Sequence, residues 1–312
     1  MTEETQLKTR WTVEELYNVE FPEPKWVVPE IIPNGLCFLG GRPKVGKSFF
    51  IMQTSIAVGC GGKMFDKDIP PGKVLYLSLE DSAKRLQKRL KDMQVPSTCN
   101  ITFELKWTPF QGKGIDFLTQ EIEKNEYSLV VIDTLTRATP GVDQNAAEVI
   151  GPIIARLQTL ATASDISMML IDHTRKPSGF FADPVDDIIA STAKTGAADA
   201  IFALYREQGK PGAVLKGRGR DMEEVDLRLR WEGTTFGWQC MGTSEELEIT
   251  ERRAEILSAL EDHGKAQAGT ISKAVKQDLS NTVKRLNELA AANMVSIEMI
   301  EGKKYYQKNI YR

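Results

Sequence analysis

Between residues 31 and about 240, short apolar runs alternate with longer segments of helical periodicity. The apolar runs predict strands at 35–39, 74–79, 128–133, 167–172, 200–205 and 212–216. The segments between them predict helices around 49–59, 82–93, 114–125 and 145–163. Because near-continuous apolar strands separated by helices are typical of a parallel sheet covered on both faces, the pattern predicts an α/β fold with a mainly parallel central sheet. Alternating positions in 225–231 and 235–239 predict an antiparallel hairpin at the end of this domain.

The pattern changes after residue 241. Residues 242–249 read as a linker, and beyond them three short apolar-periodic helices precede a hairpin. Three short helices followed by a hairpin describe a small winged-helix domain at 250–312. At the other end, residues 1–30 are a polar, proline-containing arm that wraps either the core or a neighbouring subunit. The predicted large α/β domain therefore covers 31–241.

Composition sets the broad class of protein. The chain has 312 residues, which suits one large and one small domain at ~100–200 residues per domain. No apolar run approaches the ~20 residues that span a bilayer, and the N-terminus lacks an apolar signal core. We therefore expect a cytoplasmic protein without membrane contact. The net charge of −3 gives no global signal for nucleic acid, whereas 250–312 hold 11 Lys and Arg against 8 Asp and Glu.

The four cysteines are scattered. Cys37, Cys60, Cys99 and Cys240 contain no C-x-x-C pair. Neither a zinc site nor a disulfide framework is therefore predicted. We expect four reduced cysteines.

The sequence GRPKVGKS at 41–48 is the G-x-x-x-x-G-K-[ST] phosphate-binding loop. An apolar strand at 36–39 precedes it and an apolar helix at 49–58 follows, which favours this interpretation over a glycine-rich surface turn. Backbone N–H groups of the loop and of the helix N-terminus would surround a triphosphate. Lys47 would reach the β- and γ-phosphates of ATP, and the Ser48 hydroxyl would take one Mg²⁺ coordination position. The predicted nucleotide-binding residues are Gly41, Arg42, Pro43, Lys44, Val45, Gly46, Lys47, Ser48 and Phe49.

Two further strands end in acidic residues. The strand LVVID ends at Asp133, which we interpret as the Walker B residue that holds Mg²⁺ through water. Many ATPases place the general base directly after this aspartate, but here that residue is Thr134. The strand VLYLSLED ends in Glu80 and Asp81. A carboxylate there can orient and deprotonate water, and strand alternation favours Glu80 over Asp81 as the base.

A third strand end carries one of the two histidines of the chain. His173 follows the strand at 167–172 and can contact the γ-phosphate, or can simply cap the strand through a hydrogen bond. The loop at 174–189 then combines basic, glycine, proline and aromatic residues. It suits either a loop that contacts DNA, with Phe180 or Phe181 stacked on bases, or an ordinary lid.

Three cations occupy alternate positions in the sequence KGRGRD. Lys216, Arg218 and Arg220 would share one face of a strand. The functional interpretation is an arginine finger that enters a neighbouring subunit's ATP site. The alternative is a solvated basic edge.

The order of these motifs resembles the RepA-type hexameric replicative helicases, which belong to the RecA/DnaB-like ATPases. The resemblance covers about residues 25–240 and rests on GRPKVGKS, VLYLSLEDSAKRLQKRL, LVVIDTLTRA, DHTRK, STAKTGAADAIFALYRE and LKGRGRD. It implies a RecA-like core that works as a ring with ATP at subunit interfaces. It places the P-loop lysine at Lys47, the Mg²⁺ serine at Ser48, the catalytic glutamate at Glu80 and the Walker B aspartate at Asp133.

The resemblance also implies a sensor histidine at His173 and a trans-acting cation at Arg218 or its neighbours Lys216 and Arg220. Many members carry a C-terminal winged helix. The leading hypothesis is an ATP-driven translocase or helicase, a hexameric ring on single-stranded DNA. A second hypothesis is an ATP-switched regulator, or a recombination or repair factor, that does not unwind DNA and whose segment 250–312 binds duplex DNA or a protein. A small-molecule kinase is disfavoured because no second substrate motif is visible.

Overall fold

The computed structural model of the chain describes residues 10–21, 23–172, 192–206, 209 and 212–309. These residues form two compact units, Met1–Cys240 and Met241–Arg312. His173 and the loop at 174–189, with Phe180 and Phe181, lie outside the described residues. No helix in the described part of the chain is both long enough and apolar enough to cross a membrane.

The first unit is an α/β fold. In chain order it contains α1 (Val13–Asn18), β1 (Trp26–Val28), β2 (Ile32–Pro33), β3 (Gly35–Gly40), α2 (Lys47–Cys60), β4 (Gly62–Met64), β5 (Lys67–Ile69), β6 (Lys73–Ser78), α3 (Ala83–Asp92), β7 (Ile101–Glu104), α4 (Gly114–Lys124), β8 (Tyr127–Asp133), α5 (Leu135–Ala138), α6 (Ala147–Ala163), β9 (Ser167–Ile171), α7 (Thr192–Ala197), β10 (Ala200–Arg206), β11 (Gly212–Gly219), β12 (Val225–Glu232) and β13 (Gly237–Thr243).

Nine of these strands form the central sheet. Their order is β13-β12-β11-β10-β3-β9-β8-β6-β7. The strands from β10 to β7 run parallel, whereas β11 is antiparallel to both β10 and β12. The predicted mainly parallel α/β fold is therefore confirmed. This order places the carboxyl ends of β3, β9, β8 and β6 side by side at one edge of the sheet, where ligands bind in open α/β folds.

Both faces of the parallel strands are buried, which explains their near-continuous apolar runs. On one face, Cys37 and Leu39 pack in a core with Phe50 and Ile51 of α2. On the other face, Leu36, Phe38 and neighbouring strand residues pack against α4 and α6. The first turns of α2 therefore pack on the sheet, and this packing positions the loop that joins β3 to α2.

The end of the segment predicted as an arm packs on the core, because Val27 and Val28 of β1 are buried there. One expectation for the first unit is wrong, that of four reduced cysteines. Cys60 and Cys99 form a disulfide that links the last residue of α2 to the residues before β7. The two cysteines are far apart in sequence, and the fold brings them together where no spacing motif indicated it.

The second unit contains α8 (Ser244–His263), α9 (Ala268–Ala274), α10 (Leu279–Ala291) and the hairpin of β14 (Val295–Ile300) with β15 (Lys303–Lys308). Its core is formed by apolar residues from all of these elements, among them Ile256, Leu260, Ile271, Leu286 and Tyr306.

The linker predicted at 242–249 is wrong, because α8 begins at Ser244. Thr243 caps this helix. Its hydroxyl accepts a bond from the Glu246 N–H, and the Glu246 carboxylate accepts one from the Thr243 N–H. This capping box starts a helix within a segment whose polar composition resembles a linker.

Candidate nucleotide-binding and catalytic site

The loop between β3 and α2 has a backbone that only glycine accommodates at two positions. Gly41 has φ +154°, and a Cβ there would lie 2.8 Å from the Leu204 carbonyl oxygen. Gly46 has φ +109°, and a Cβ there would lie 2.6 Å from Cζ2 of Trp238. Side chains at these positions would collide with rigid neighbours, so the two motif glycines let the loop pass close to its supports.

Lys47 is the first residue of α2, and its side chain folds back over the loop. The Nζ atom donates hydrogen bonds to the carbonyl oxygens of Gly41 (2.6 Å) and Arg42 (3.1 Å). Burial lowers the pKa of Lys47 to about 8, while the nearby charges of Asp133, Asp172 and Glu80 oppose this shift. The amine is therefore a buried cation at a helix N-terminus, which is a favourable position for binding an anion.

Ser48 and Asp133, the two residues that the sequence suggests for Mg²⁺, are neighbours at the ends of the phosphate loop and of β8. The Tyr76 hydroxyl donates to Asp133 Oδ2 at 2.8 Å. Burial raises the pKa of Asp133, and the polar side chains of Tyr76 and Ser48 beside the carboxylate oppose the shift. A hydroxyl and one carboxylate are hard oxygen donors of the kind Mg²⁺ takes alongside substrate phosphates. The pair fits Mg²⁺.

Some proteins hold a metal ion with three or more of their own side chains. Among the described residues, no group of three or more His, Cys, Asp or Glu side chains is arranged to hold a metal ion.

Glu80 lies beyond the end of β6, next to the end of β8. Its Oε1 accepts a 2.9 Å hydrogen bond from the Thr134 hydroxyl and lies 3.7 Å from Nε of Arg137. The side chain remains 41% exposed. Asp81 differs, because Arg85 and Arg89 bind its two carboxylate oxygens and leave its side chain 10% exposed. Glu80 is therefore the more accessible carboxylate.

An ion pair that the sequence did not predict lies at the end of β9. Lys194 of α7 donates a 2.6 Å hydrogen bond to Asp172, and both side chains are almost fully buried. Asp172 in turn contributes to the electrostatic field at Lys47. Tyr76, which donates to Asp133, was also missed. A single lysine among the small residues of α7 was a weak indication of a buried ion pair. The apolar sequence around Tyr76 gave no indication that its hydroxyl contacts Asp133.

The predicted row of cations runs along β11 and ends one residue beyond it. Lys216 lies 3.8 Å from Asp226, and Arg218 donates a 2.6 Å hydrogen bond to Glu224. Arg220 comes after the end of the strand and donates to the Gly196 carbonyl oxygen.

The register shows the direction of this row. Lys216 lies opposite Ala203, which lies opposite Gly40 of β3, whereas Arg218 lies opposite Ile201, which lies opposite Phe38. Lys216 therefore lies level with the phosphate loop. From there the row runs toward the amino ends of the parallel strands, away from the loop. The structure does not bring Arg220 to the Lys47 site of its own chain.

Comparison with known proteins places these observations in a family. A family model described as AAA domain matches residues 2–179. Among the relatives, the DNA repair protein RadA of Streptococcus pneumoniae is 24% identical over 157 residues, which are 49% of this chain and 33% of the relative. RadA of Listeria monocytogenes is 25% identical over 157 residues, 49% of this chain and 31% of the relative. The chain therefore spans about a third of the length of these relatives.

One solved structure that the comparison matches to this chain is a crystal structure of the RadB recombinase. It has a TM-score of 0.47 and 19% sequence identity, over 68% of this chain and 91% of that one.

Proposed function

Since the chain belongs to the AAA domain family, we propose that it hydrolyses ATP with Mg²⁺ at the site of Lys47, Ser48, Asp133 and Glu80. One observation carries the proposal. Lys47, Ser48, Asp133 and Glu80 lie close together at the end of the phosphate loop and the ends of β8 and β6. Thr134, directly after Asp133, donates a hydrogen bond to Glu80, Ser48 influences the pKa of Asp133, and Asp133 and Glu80 both influence the pKa of Lys47. This grouping supports the proposed roles.

Each side chain has a role that its surroundings support. Lys47 and the N–H groups of the loop bind the β- and γ-phosphates of ATP. Ser48 and Asp133 hold Mg²⁺, which neutralises charge on the phosphate oxygens when bound. Glu80 orients a water molecule and accepts its proton as the water oxygen bonds to the γ-phosphorus and the bond to the β–γ bridging oxygen breaks. The exposure of Glu80 leaves room for this water.

We further propose that ATP binding and hydrolysis switch a DNA-binding assembly that works in recombination or repair, in the cytoplasm. The support is the set of relatives named as DNA repair protein RadA, although they match this chain over about half its length. In this proposal the subunits oligomerise with ATP sites at their interfaces. The half-exposed Arg218 is the first candidate for a cation supplied to the next subunit.

A ring-forming helicase of the RepA type is the second candidate. The order of motifs from 41 to 221 favours it, as does a C-terminal unit with three helices and a hairpin, the arrangement of a winged helix. Exposed Asn281 and Lys284 of α10 and Lys303 and Lys304 of the hairpin could meet duplex DNA. This candidate requires a hexamer that translocates on single-stranded DNA.

One set of measurements on the full-length protein tests both candidates. ATP turnover is measured with and without single-stranded DNA in low salt, because phosphate contacts weaken as salt rises, and Lys47→Ala protein gives the background. Native mass with an ATP analogue then reports assembly, and a forked duplex reports strand displacement. DNA-stimulated turnover without displacement supports the switched assembly, whereas displacement supports the helicase. Turnover no higher than that of Lys47→Ala would refute the ATPase proposal itself.

A further inference from the structure

Trp238 of β13 packs directly against the phosphate loop. The residue is 2% exposed. Its ring lies so close to Gly46 that a Cβ there would be 2.6 Å from Cζ2. The indole Nε1 donates a 3.3 Å hydrogen bond to the Gly46 carbonyl oxygen. Nothing in the sequence around Trp238 indicated a contact with a loop almost two hundred residues earlier.

Gln53 of α2 holds the backbone of Trp238 in place. Its Nε2 donates to the Trp238 carbonyl oxygen at 2.9 Å, and its Oε1 accepts from the Trp238 N–H at 2.7 Å. The side-chain amide thus pairs with both backbone groups of one residue, as a neighbouring strand would. Strand β13 is therefore attached to the phosphate loop at Gly46 and to α2 about two turns later.

Aromatic and cationic side chains surround the indole. The Arg206 guanidinium lies 5.3 Å from the centre of the Trp238 ring. Trp231 meets the same ring edge-on at 5.3 Å, and Phe49 meets Trp231 at 5.0 Å. These contacts restrict the orientation of the indole, so its N–H has a fixed direction.

The Gly46 carbonyl matters because it belongs to the same peptide unit as the N–H of Lys47. In a trans peptide the C=O and the N–H point in opposite directions. The carbonyl accepts bonds from the Phe50 N–H at 3.0 Å and from Trp238. Two donors on this oxygen fix the peptide plane, and so fix where the Lys47 N–H points, at a glycine that would otherwise be free to rotate.

We propose that Trp238 is a positioning residue that holds the phosphate loop in its nucleotide-binding conformation, with Gln53 acting through it. The proposal rests on the nucleotide-binding role assigned to this loop. It follows that the loop is pre-organised by a strand outside the motif, so that nucleotide affinity depends on a residue that does not itself touch phosphate. Because the indole contacts the loop that would bind the phosphates, we expect a bound nucleotide to change the fluorescence of Trp238.

The test compares Trp238→Phe with Trp107→Phe. Trp107 is a matched control, because its indole also donates to a backbone carbonyl, that of Gly114 at 2.9 Å, but it packs with the core on the other face of the sheet. Affinity for a non-hydrolysable ATP analogue, the KM and kcat of turnover, and nucleotide-dependent tryptophan fluorescence are measured for both variants. Folding is checked by thermal melting.

For Trp238→Phe we expect the Kd of the analogue and the KM to rise about fivefold, or about 1 kcal/mol at ~1.4 kcal/mol per tenfold, with kcat at saturation nearly unchanged. The nucleotide-dependent fluorescence change should disappear in this variant alone. Wild-type affinity in Trp238→Phe, or equal losses in both variants, would overturn the proposal.

If Trp238→Phe does not fold, Gln53→Met replaces it. This variant keeps the length of the side chain and removes both bonds to the Trp238 backbone. A raised Kd supports the proposal and an unchanged Kd overturns it. Because binding is measured apart from turnover, a wild-type protein that binds the analogue but hydrolyses no ATP would refute the proposed activity while leaving this comparison valid.

Discussion

Thr134 Oγ1 donates a 2.9 Å hydrogen bond to Oε1 of Glu80. The bond joins the end of β8, directly after Asp133, to the end of the neighbouring β6. Many ATPases carry the general base at the position of Thr134. In this chain the same position carries a hydroxyl that donates a hydrogen bond to the carboxylate beyond the end of the neighbouring strand. This bond links the ends of the two strands.

We predict that Thr134→Val lowers kcat about tenfold while nucleotide affinity stays nearly unchanged, since a hydrogen bond to a charged group contributes about 1.5–3 kcal/mol. Valine keeps the shape of threonine and removes the donor. Thr139→Val is the control, because the Thr139 hydroxyl is also buried but donates to the Leu135 carbonyl oxygen. Steady-state turnover and analogue binding measure the effect. Equal losses of kcat in the two variants would show that Thr134 has only a structural role.

Glu80→Gln should abolish turnover and retain ATP binding. The amide keeps the size of the side chain but does not accept a proton from water, and general base catalysis contributes about 10²–10⁴-fold. The comparison is Asp81→Asn, whose carboxylate is bound by Arg85 and Arg89. We expect Asp81→Asn to retain most activity, with some loss of stability. Single-turnover kinetics with radiolabelled ATP separates binding from hydrolysis. An active Glu80→Gln enzyme would contradict the assignment of the base.

Lys47→Met should bind ATP at least tenfold more weakly, and in the absence of nucleotide it should unfold at a higher denaturant concentration than the wild type at pH 7. Burial lowers the pKa of Lys47 to about 8, so the charged amine destabilises the folded state at neutral pH. Methionine has a similar length and no charge. The lost bonds to Gly41 and Arg42 offset part of the gain, and we expect a net increase of about 1 kcal/mol in the free energy of unfolding.

The stability difference between the wild type and Lys47→Met should change with pH in a definite direction. Between pH 8 and the unfolded pKa of 10.5, the unfolded wild type binds more protons at Lys47 than the folded protein does. Wild-type stability therefore rises with pH across this window relative to Lys47→Met, and the difference between the two proteins should shrink. Urea denaturation at several pH values measures it. A difference that widens toward pH 10 would contradict the buried position of the amine.

The sequence predicted the parallel strands because their burial on both faces leaves a continuous apolar signal. It did not predict β7, whose residues Ile101–Glu104 are only partly buried at the edge of the sheet. The helix start at Ser244 was also missed, since Thr243 and Glu246 are polar and the capping box is visible only as a spacing. Local pattern therefore identified the core and failed at edges and at helix ends.

The same limit applies to the site. Lys47, Ser48 and Asp133 lie in motifs whose spacing suggests a role, so each could be proposed from the sequence alone. Trp238 and Lys194 act through contacts with residues distant in sequence, and such contacts depend on the order of strands in the sheet. The disulfide between Cys60 and Cys99 was unpredictable for the same reason. The residue types indicated the chemistry of the site, whereas the fold determines which residues contact each other.

The last prediction concerns the cation row of β11. Arg218 is half-exposed, its bond to Glu224 is on the surface, and its strand runs away from the phosphate loop of its own chain. If Arg218 completes the site of the next subunit, Arg218→Ala and Lys47→Ala proteins should each be inactive, while an equimolar mixture regains activity. With random assembly in a head-to-tail ring, about a quarter of interfaces combine an intact Lys47 with an intact Arg218.

Turnover after mixing and re-equilibrating the two variants tests this prediction, with Arg230→Ala as the control. Arg230 lies on the neighbouring strand β12 and makes a comparable surface bond to Gln239, so its loss should leave turnover near the wild-type level. Recovery in the mixture requires that the two residues act from different subunits, because no single polypeptide there carries both. A mixture as inactive as its components, in protein that still assembles, would place Arg218 outside the site. Repeating the mixture with Lys216→Ala and with Arg220→Ala then identifies which cation of the row is supplied in trans, and we expect the weakest effect from Arg220, which is bonded to Gly196 of its own chain.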